Sequence, residues 1–390
     1  MMKINKTRLM KLFEELKEIN ETPGNGYTRL AFSNYEDQVY QWFESKLKTN
    51  DLLLKVDSVG NVFGSYGNSD KSPILIGSHL DTVMNGGLYD GALGVLVGLE
   101  VLMTLKENKC AIEHPIVLVA FRGEETNEMG GTFGSRAFAG KINIDTHLSE
   151  VMEKLNISSE DLRNAKMQDD FAEYIELHIE QGKILETNKK QIGVVTSIAG
   201  LRRYKVSIEG ESGHSGTTPM NLRNDALFNS IPLLNNFKSF ASKINENSVF
   251  TIGKINMMPN QPNVIPRALE LIVEIRSSNE VELDTMEEVI TDLVEQNPWA
   301  NIERITVKQS HEMNQKIIDK LVSILENKEI TYQQIISGAN HDANSLADQL
   351  DTAMLFVPSI NGISHHPEEY TKEEDIITTS NVLLEYVMSR

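Results

Sequence analysis

The chain carries nine histidines, at 79, 114, 147, 178, 214, 311, 341, 365 and 366, and most stand in short polar motifs at the ends of apolar runs. In Ser78-His79-Leu80-Asp81-Thr82-Val83, a histidine is followed closely by a carboxylate. That pairing suits a metal ligand whose second ring nitrogen is held by an acid. Asp90 stands in Gly86-Gly87-Leu88-Tyr89-Asp90-Gly91. Its glycines allow a tight loop that returns Asp90 towards His79; the same aspartate also reads as a helix N-cap. Phe121-Arg122-Gly123-Glu124-Glu125 places adjacent carboxylates after an apolar run. One can bind a cation while the other takes a proton from water. With 56 acidic residues in the chain, two solvated acids on a loop is the competing reading.

In Glu176-Leu177-His178-Ile179-Glu180-Gln181-Gly182, period-two alternation puts Glu176, His178 and Glu180 on one strand face. Such a face is costly unless positive charge sits against it. Gly362-Ile363-Ser364-His365-His366-Pro367-Glu368-Glu369 offers two further histidines. His214, in Gly213-His214-Ser215-Gly216-Thr217-Thr218, reads either as turn chemistry or as a mobile donor to substrate. There is no His-Glu-x-x-His, P-loop, dinucleotide fingerprint or Gly-x-Ser-x-Gly elbow. Nucleotide enzymes and serine hydrolases fall back accordingly.

These motifs need strand ends to hold them. Helical period covers Lys6 to Ile19; short strands are expected at Val62 to Tyr66 and Pro73 to Gly77. A buried helix is expected over Gly91 to Glu107. The uninterrupted apolar run Pro115 to Phe121 suits a strand buried on both faces. Further strands are read at Tyr174 to Ile179, Ile192 to Ile198 and Ala353 to Val357, with closing helices from Asn314 and Lys372. Strands alternating with helices indicate an α/β core whose strand ends bind ligands. Between these parts, from about 203 to 311, the order is β-α-β-β-α-β, the ferredoxin-like pattern. The expected division is 1–202 plus 312–390 for one domain and 203–311 for an inserted α+β domain.

The 390 residues exceed one ordinary core, and 37 basic against 56 acidic residues give a net charge of −19. That balance argues against nucleic acid and anionic membrane as partners. A single cysteine, Cys110, excludes an internal disulfide framework and fits a reducing compartment. The N-terminal segment lacks a signal peptide's apolar centre, and Gly91 to Leu105 is too short to span a bilayer. A cytoplasmic protein is expected.

Together the motifs resemble the dinuclear-metal aminoacylase/carboxypeptidase clan, and within it the hydantoinase/carbamoylase branch, which includes allantoate amidohydrolases. The resemblance runs from Thr28-Arg29-Leu30 to His365-His366-Pro367. It implies a metallopeptidase-like α/β/α catalytic domain with an inserted lid or dimerisation domain, and a homodimer. It implies two divalent ions, manganese or zinc, with cobalt or nickel compatible, held by His79, Asp90, Glu125, His178 and His365. Asp90 would bridge, Asp81 would orient His79, and Glu124 would be the general base. Gln181, His214, Asn263 and Arg276 match substrate contacts, His214 steadying the oxyanion and often supplied by a neighbouring subunit. His366 stands where relatives carry a small polar residue. Thr126-Asn127-Glu128-Met129 and Asn340 also depart from the branch pattern.

The implied reaction is hydrolysis of N-carbamoyl-L-amino acids or related ureido acids to ammonia and carbon dioxide. Allantoate is the neighbouring alternative, and aminoacylase or dipeptidase activity a third. A non-catalytic binding protein on the same fold would be expected to lose the base or a ligand, and all six positions are present.

Overall fold

The computed structural model describes residues 2–390. It divides into two compact units, one formed by the chain through Thr196 together with Met313–Arg390, the other by Ser197–Glu312. The inserted unit thus begins six residues before, and ends one residue after, the 203–311 read from sequence.

In the first unit a mixed sheet runs Leu53–Val56, Val62–Tyr66, Ile116–Phe121, Ile74–His79, Glu173–Ile179, Thr352–Val357, Ile192–Ile198, with Tyr332–Ser337 also on the last. The four strands from Ile116–Phe121 to Thr352–Val357 are parallel to one another. Parallel strands buried on both faces need continuous apolar runs, and Ile74, Leu75, Ile76, Leu118, Val119, Leu177 and Leu355 supply them. Helix Ala92–Glu107 is buried along almost its whole length. It packs on the three strands Ile74–His79, Ile116–Phe121 and Glu173–Ile179, between helices Lys6–Lys17 and Glu373–Met388. Apart from Glu100, which pairs with Arg8, the buried length is nearly all apolar and offers no wet face, so its sequence shows no amphipathic stripe. The parallel strands share a direction, so their carboxyl ends converge on one rim.

The second unit is a four-stranded antiparallel sheet in the order Ala300–Lys308, Gly200–Glu209, Ala268–Ser277, Val249–Met258. In chain order this is 4-1-3-2, the ferredoxin-like arrangement. Alternate residues Tyr204, Val206, Ile208 and Leu269, Leu271, Val273, Ile275 face two helices. Helix Ala226–Ala241 contributes Ala226, Leu233 and Phe237, and helix Glu280–Glu295 contributes Leu283, Met286, Ile290 and Val294. Asp225 and Asn279 cap these helices, each side chain accepting two backbone amides.

Candidate metal centre

Four strand ends and the loops after them deliver the chemistry-bearing side chains. His79 closes its strand, His178 is the sixth residue of Glu173–Ile179, and Glu124 and Glu125 follow Ile116–Phe121. His365 comes from the loop beyond Thr352–Val357. Asp90 is brought in by the turn before helix Ala92–Glu107. That turn's cap residue is Gly91, at φ +63° with no side-chain cap, so Asp90 does not serve as the N-cap. A Cβ on Gly91 would stand 2.4 Å from the His79 ring, so only glycine lets the turn close against the histidine.

Asp90 divides its two oxygens between two groups. Oδ1 lies 3.2 Å from His178 Nε2 and 3.5 Å from His79 Nε2. Oδ2 lies 3.3 Å from His365 Nε2, which in turn lies 3.3 Å from Glu125 Oε1. His79, Asp90 and His178, and likewise Asp90, Glu125 and His365, place their donor atoms within 4.8 Å of one another. Donors on a tetrahedral ion with bonds of about 2.0–2.2 Å stand about 3.3–3.6 Å apart. Both groups therefore fit a divalent cation with Asp90 as the shared ligand. Oε1 of Glu125 is buried and receives no hydrogen bond, which is what an oxygen reserved for a cation looks like. The donors are imidazole and carboxylate without thiolate, a set suited to zinc, manganese, cobalt or nickel.

The Nδ1 atoms of His178 and His79 each meet a backbone carbonyl, which turns both Nε2 atoms towards Asp90. His178 Nδ1 lies 2.9 Å from the Ile179 carbonyl, and its Nε2 accepts from the Gly91 amide at 3.2 Å. His79 Nδ1 lies 3.1 Å from the Asp81 carbonyl and 3.3 Å from its carboxylate. That carboxylate also accepts the amides of Glu124 and Glu125 at 3.1 and 2.9 Å. The loop before them is held from behind by helix Asn34–Thr49. Buried Glu36 accepts the Gly123 amide at 3.1 Å and Arg122 Nε at 2.9 Å, and the Tyr40 hydroxyl donates to the Phe121 carbonyl.

The electrostatics follow from this crowding. Burial alone would raise Asp90, but the facing histidines, His178 foremost, hold its carboxyl well below the usual range. Burial pushes the Glu124 carboxyl well up, opposed by His79 and reinforced by Glu125. Burial, with Asp90 nearby, pushes Glu125 up to about 7. The hydrogen bond to Asp90 is the chief reason His365 is pushed up to about 9. Buried acids raised in this way are stabilised as carboxylates by added positive charge.

The family model for peptidase family M20/M25/M40 matches residues 75–389. The chain belongs to this family. It is 33% identical to the N-carbamoyl-L-amino-acid amidohydrolase of Pseudomonas sp., over 99% of this chain and 98% of that protein. It is 32% identical to the allantoate amidohydrolase of Escherichia coli, over 93% and 92%. The crystal structure of a hydantoinase/carbamoylase family amidase from Burkholderia multivorans superposes with a TM-score of 0.87 at 29% identity, covering 100% and 98% of the two chains. The branch expected from the motifs is the branch these relatives occupy.

In this M20-family chain the strand face Glu176, His178, Glu180 does not act as one ligand set. Only His178 reaches the metal groups. Glu176 accepts the Ser78 hydroxyl at 2.8 Å and the Ala343 amide at 2.7 Å. Glu180 accepts the amides of Ile184 and Leu185, capping a short helical turn. A hydroxyl and three backbone amides meet these two acids. Gln181 does join the centre, its Nε2 donating to Asp90 Oδ2 at 2.7 Å, and the Ser364 hydroxyl donates to the same oxygen at 2.9 Å. His366 points elsewhere: its Nδ1 accepts the Glu368 amide, and His365 alone faces the carboxylates. His341 packs its ring 4.5 Å from that of His178 and bonds Ser337. Asn127 braces its own loop, donating to the carbonyls of Gly123 and Glu125.

In the inserted unit, His214 is exposed and bridged to Val264, and the Ser215 amide donates to the Asn263 carbonyl at 3.1 Å. His214 and Asn263 thus share one end of the sheet, beyond Glu209 and Ala268. Arg276 pairs with Leu201 towards the other end, its Nε donating to Glu274 at 2.7 Å. At about 3.3 Å per residue, the eight steps from Ala268 to Arg276 span about 26 Å. Glu36 has no type or spacing that marks it out among 56 acids, while Ser364 and Glu369 stand in the Gly362-to-Glu369 motif without a role that the sequence reveals.

Proposed function

We propose that the chain is a metal-dependent amidohydrolase that cleaves the C–N bond of N-carbamoyl-L-amino acids or related ureido acids, releasing ammonia and carbon dioxide. The observation that carries this is Asp90 presenting one oxygen to each of two three-residue donor groups, in a chain whose relatives are named for ureido substrates.

Two divalent ions, manganese or zinc, would supply Lewis-acid polarisation of the ureido carbonyl and acidify the attacking water. The rest falls to the chain's own residues. Glu124, partly buried beside His79 at 3.7 Å, takes the water's proton and passes it to the departing nitrogen. Asp81 holds both His79 and the Glu124–Glu125 backbone in place. Gln181 orients the substrate beside Asp90. His214 donates to the developing oxyanion, and Arg276 grips the substrate carboxylate through its planar fork.

A small substrate cannot reach both ends of a strand that runs about 26 Å from Ala268 to Arg276. We therefore assign His214 with Asn263 and Arg276 in any one site to different subunits of a homodimer. Exposed Leu227, Phe228 and Ile231 on helix Ala226–Ala241, with Val249, Ile255 and Met258 on the edge strand, suit such an interface. A cytoplasmic location is consistent with the single cysteine.

Allantoate is the second reading, favoured by Ser359-Ile360-Asn361-Gly362-Ile363-Ser364-His365. The test is ammonia release by manganese-loaded protein from N-carbamoyl amino acids and from allantoate. N-acetyl amino acids and dipeptides are assayed in parallel for free amino acid. Ammonia from carbamoyl substrates, lost with chelator, is expected; a larger kcat/KM for allantoate would move the chain to that substrate. Cleavage of acetyl or peptide bonds alone would overturn the ureido assignment.

A further inference from the structure

We propose that Glu369 is a positioning residue for the metal centre: its carboxylate fixes the turn that presents Asp90 and so sets the spacing of the two cation groups. This rests on Asp90 being the shared ligand.

Glu369 is only 6% exposed. Its Oε1 accepts the amides of Tyr89 and Asp90 together, at 2.9 and 3.1 Å. The carboxylate occupies the space a side chain on Gly87 would need, since a Cβ there would stand 1.9 Å from Glu369 Cδ. Its other oxygen is buried with no hydrogen-bond partner. Such a group is retained at a desolvation cost that the two amide bonds must offset. Fully buried Arg29, whose guanidinium field reaches both Asp81 and Glu369, supplies nearby positive charge.

The clamp joins two ligand-bearing loops. Glu369 lies four residues after His365, in a segment closed by the Glu369 amide on the His366 carbonyl and the Ile360 amide on the Tyr370 carbonyl. At its start, Ser364 and His365 reach the Asp90 carboxylate; at its end, Glu369 holds the Asp90 backbone. Asp90 is therefore gripped at the side chain and the main chain by one segment. A carboxylate that bridges two ions tolerates little rotation, because displacement spoils both sets of donor distances. Holding its own amide and the preceding one removes the freedom that the neighbouring glycines would otherwise allow.

The experiment compares wild type, Glu369→Ala, Glu369→Gln and Gly87→Ala. Manganese and zinc are titrated into each metal-free protein by calorimetry, and thermal unfolding of the same metal-free samples serves as the control. Glu369→Ala is expected to weaken ion affinity about 10–100-fold, the usual cost of removing an outer partner of a metal ligand. Its kcat should fall at limiting metal and recover towards wild type at excess metal, with KM little changed. Glu369→Gln keeps an oxygen that accepts both amides and should restore affinity. Gly87→Ala leaves the acid present but displaced, and should reproduce the loss even if Glu369→Ala fails to fold. Wild-type affinity in folded Glu369→Ala or in Gly87→Ala overturns the proposal, as does a loss that only follows the fraction unfolded. If wild type itself does not bind two ions, the dinuclear reading fails instead, and the two outcomes are separable.

Discussion

The Asp81 carboxylate lies 3.3 Å from His79 Nδ1 while accepting the backbone amide of Glu125 at 2.9 Å and that of Glu124 at 3.1 Å. One acid thus aligns a candidate ligand from one metal group, a candidate ligand from the other, and the candidate base. Replacing Asp81 with Asn keeps the size and one acceptor but loses the charge and the second acceptor. Metal affinity and kcat should both fall about 10–100-fold. Calorimetry and steady-state kinetics check this; a variant that matches wild type in both would remove Asp81 from its role.

Glu124→Gln should keep both ions and lose turnover. A positioned base contributes about 10²–10⁴-fold, and the loss should be at least of that order. Metal content by elemental analysis separates this outcome from loss of the centre. Near-normal activity in the variant would end the assignment of Glu124 as base.

Metal affinity should rise with pH. In the metal-free protein the His365 proton is retained up to about 9, chiefly through its hydrogen bond to Asp90. The Glu125 proton is retained up to about 7, chiefly because of burial. The histidine shift is upward, so it stabilises the metal-free fold below about 6.5 and that contribution is lost as pH rises through 9. Both groups must give up their protons to bind a cation. Ion binding should therefore release protons at pH 6 to 7 and progressively fewer towards pH 9.5. Calorimetry in buffers of different ionisation enthalpy measures the release; a pH-independent affinity would contradict the ligand set.

The placement of His214 and Arg276 towards opposite ends of one sheet predicts complementation between inactive variants. His214→Ala and Arg276→Ala homodimers should each be nearly inactive. After mixing and subunit exchange, one of the two sites in every mixed dimer is intact, so about a quarter of wild-type activity should return. No recovery in a mixture shown to contain heterodimers would place both residues in a single-subunit site or outside the site.

Arg276→Lys should raise KM for a carboxylate-bearing substrate far more than for its carboxamide analogue. Hydrogen bonds to charged groups contribute about 1.5–3 kcal/mol, or about 10- to 150-fold in KM. Glu274 fixes the Nε side of that guanidinium, so Glu274→Ala should show the same substrate dependence more weakly. Equal effects on both substrates would argue for a structural role.

Much of this arrangement was legible in the residues. Strands Val62–Tyr66 and Ile192–Ile198 have the bounds their apolar pattern gives, and the inserted β-α-β-β-α-β order became the 4-1-3-2 sheet. The residues marked the motifs that hold His79, Asp90, Glu125, His178 and His365, the family resemblance picked these five out of them, and the structure brings all five together. Helix Asn34–Thr49 escaped notice, although Ser33 caps it and Val39, Tyr40, Phe43 and Leu47 face inwards; its polar composition hides the stripe. Glu176 and Glu180 misled because alternation reports a shared face and not what meets it. Here the partners are the Ser78 hydroxyl and the Ala343 amide for one and the Ile184 and Leu185 amides for the other, supplied by distant residues or turned backbone. Glu369 was hidden for a related reason: its partners lie 279 and 280 residues away, and no local pattern encodes a long-range clamp.

The most direct test is anomalous X-ray diffraction from crystals of the manganese-loaded protein. Two ions per chain are expected about 3.5–4 Å apart, one at His79 and His178 and the other at Glu125 and His365, with Asp90 between them. A single ion, or two ions that do not share Asp90, would contradict the dinuclear centre.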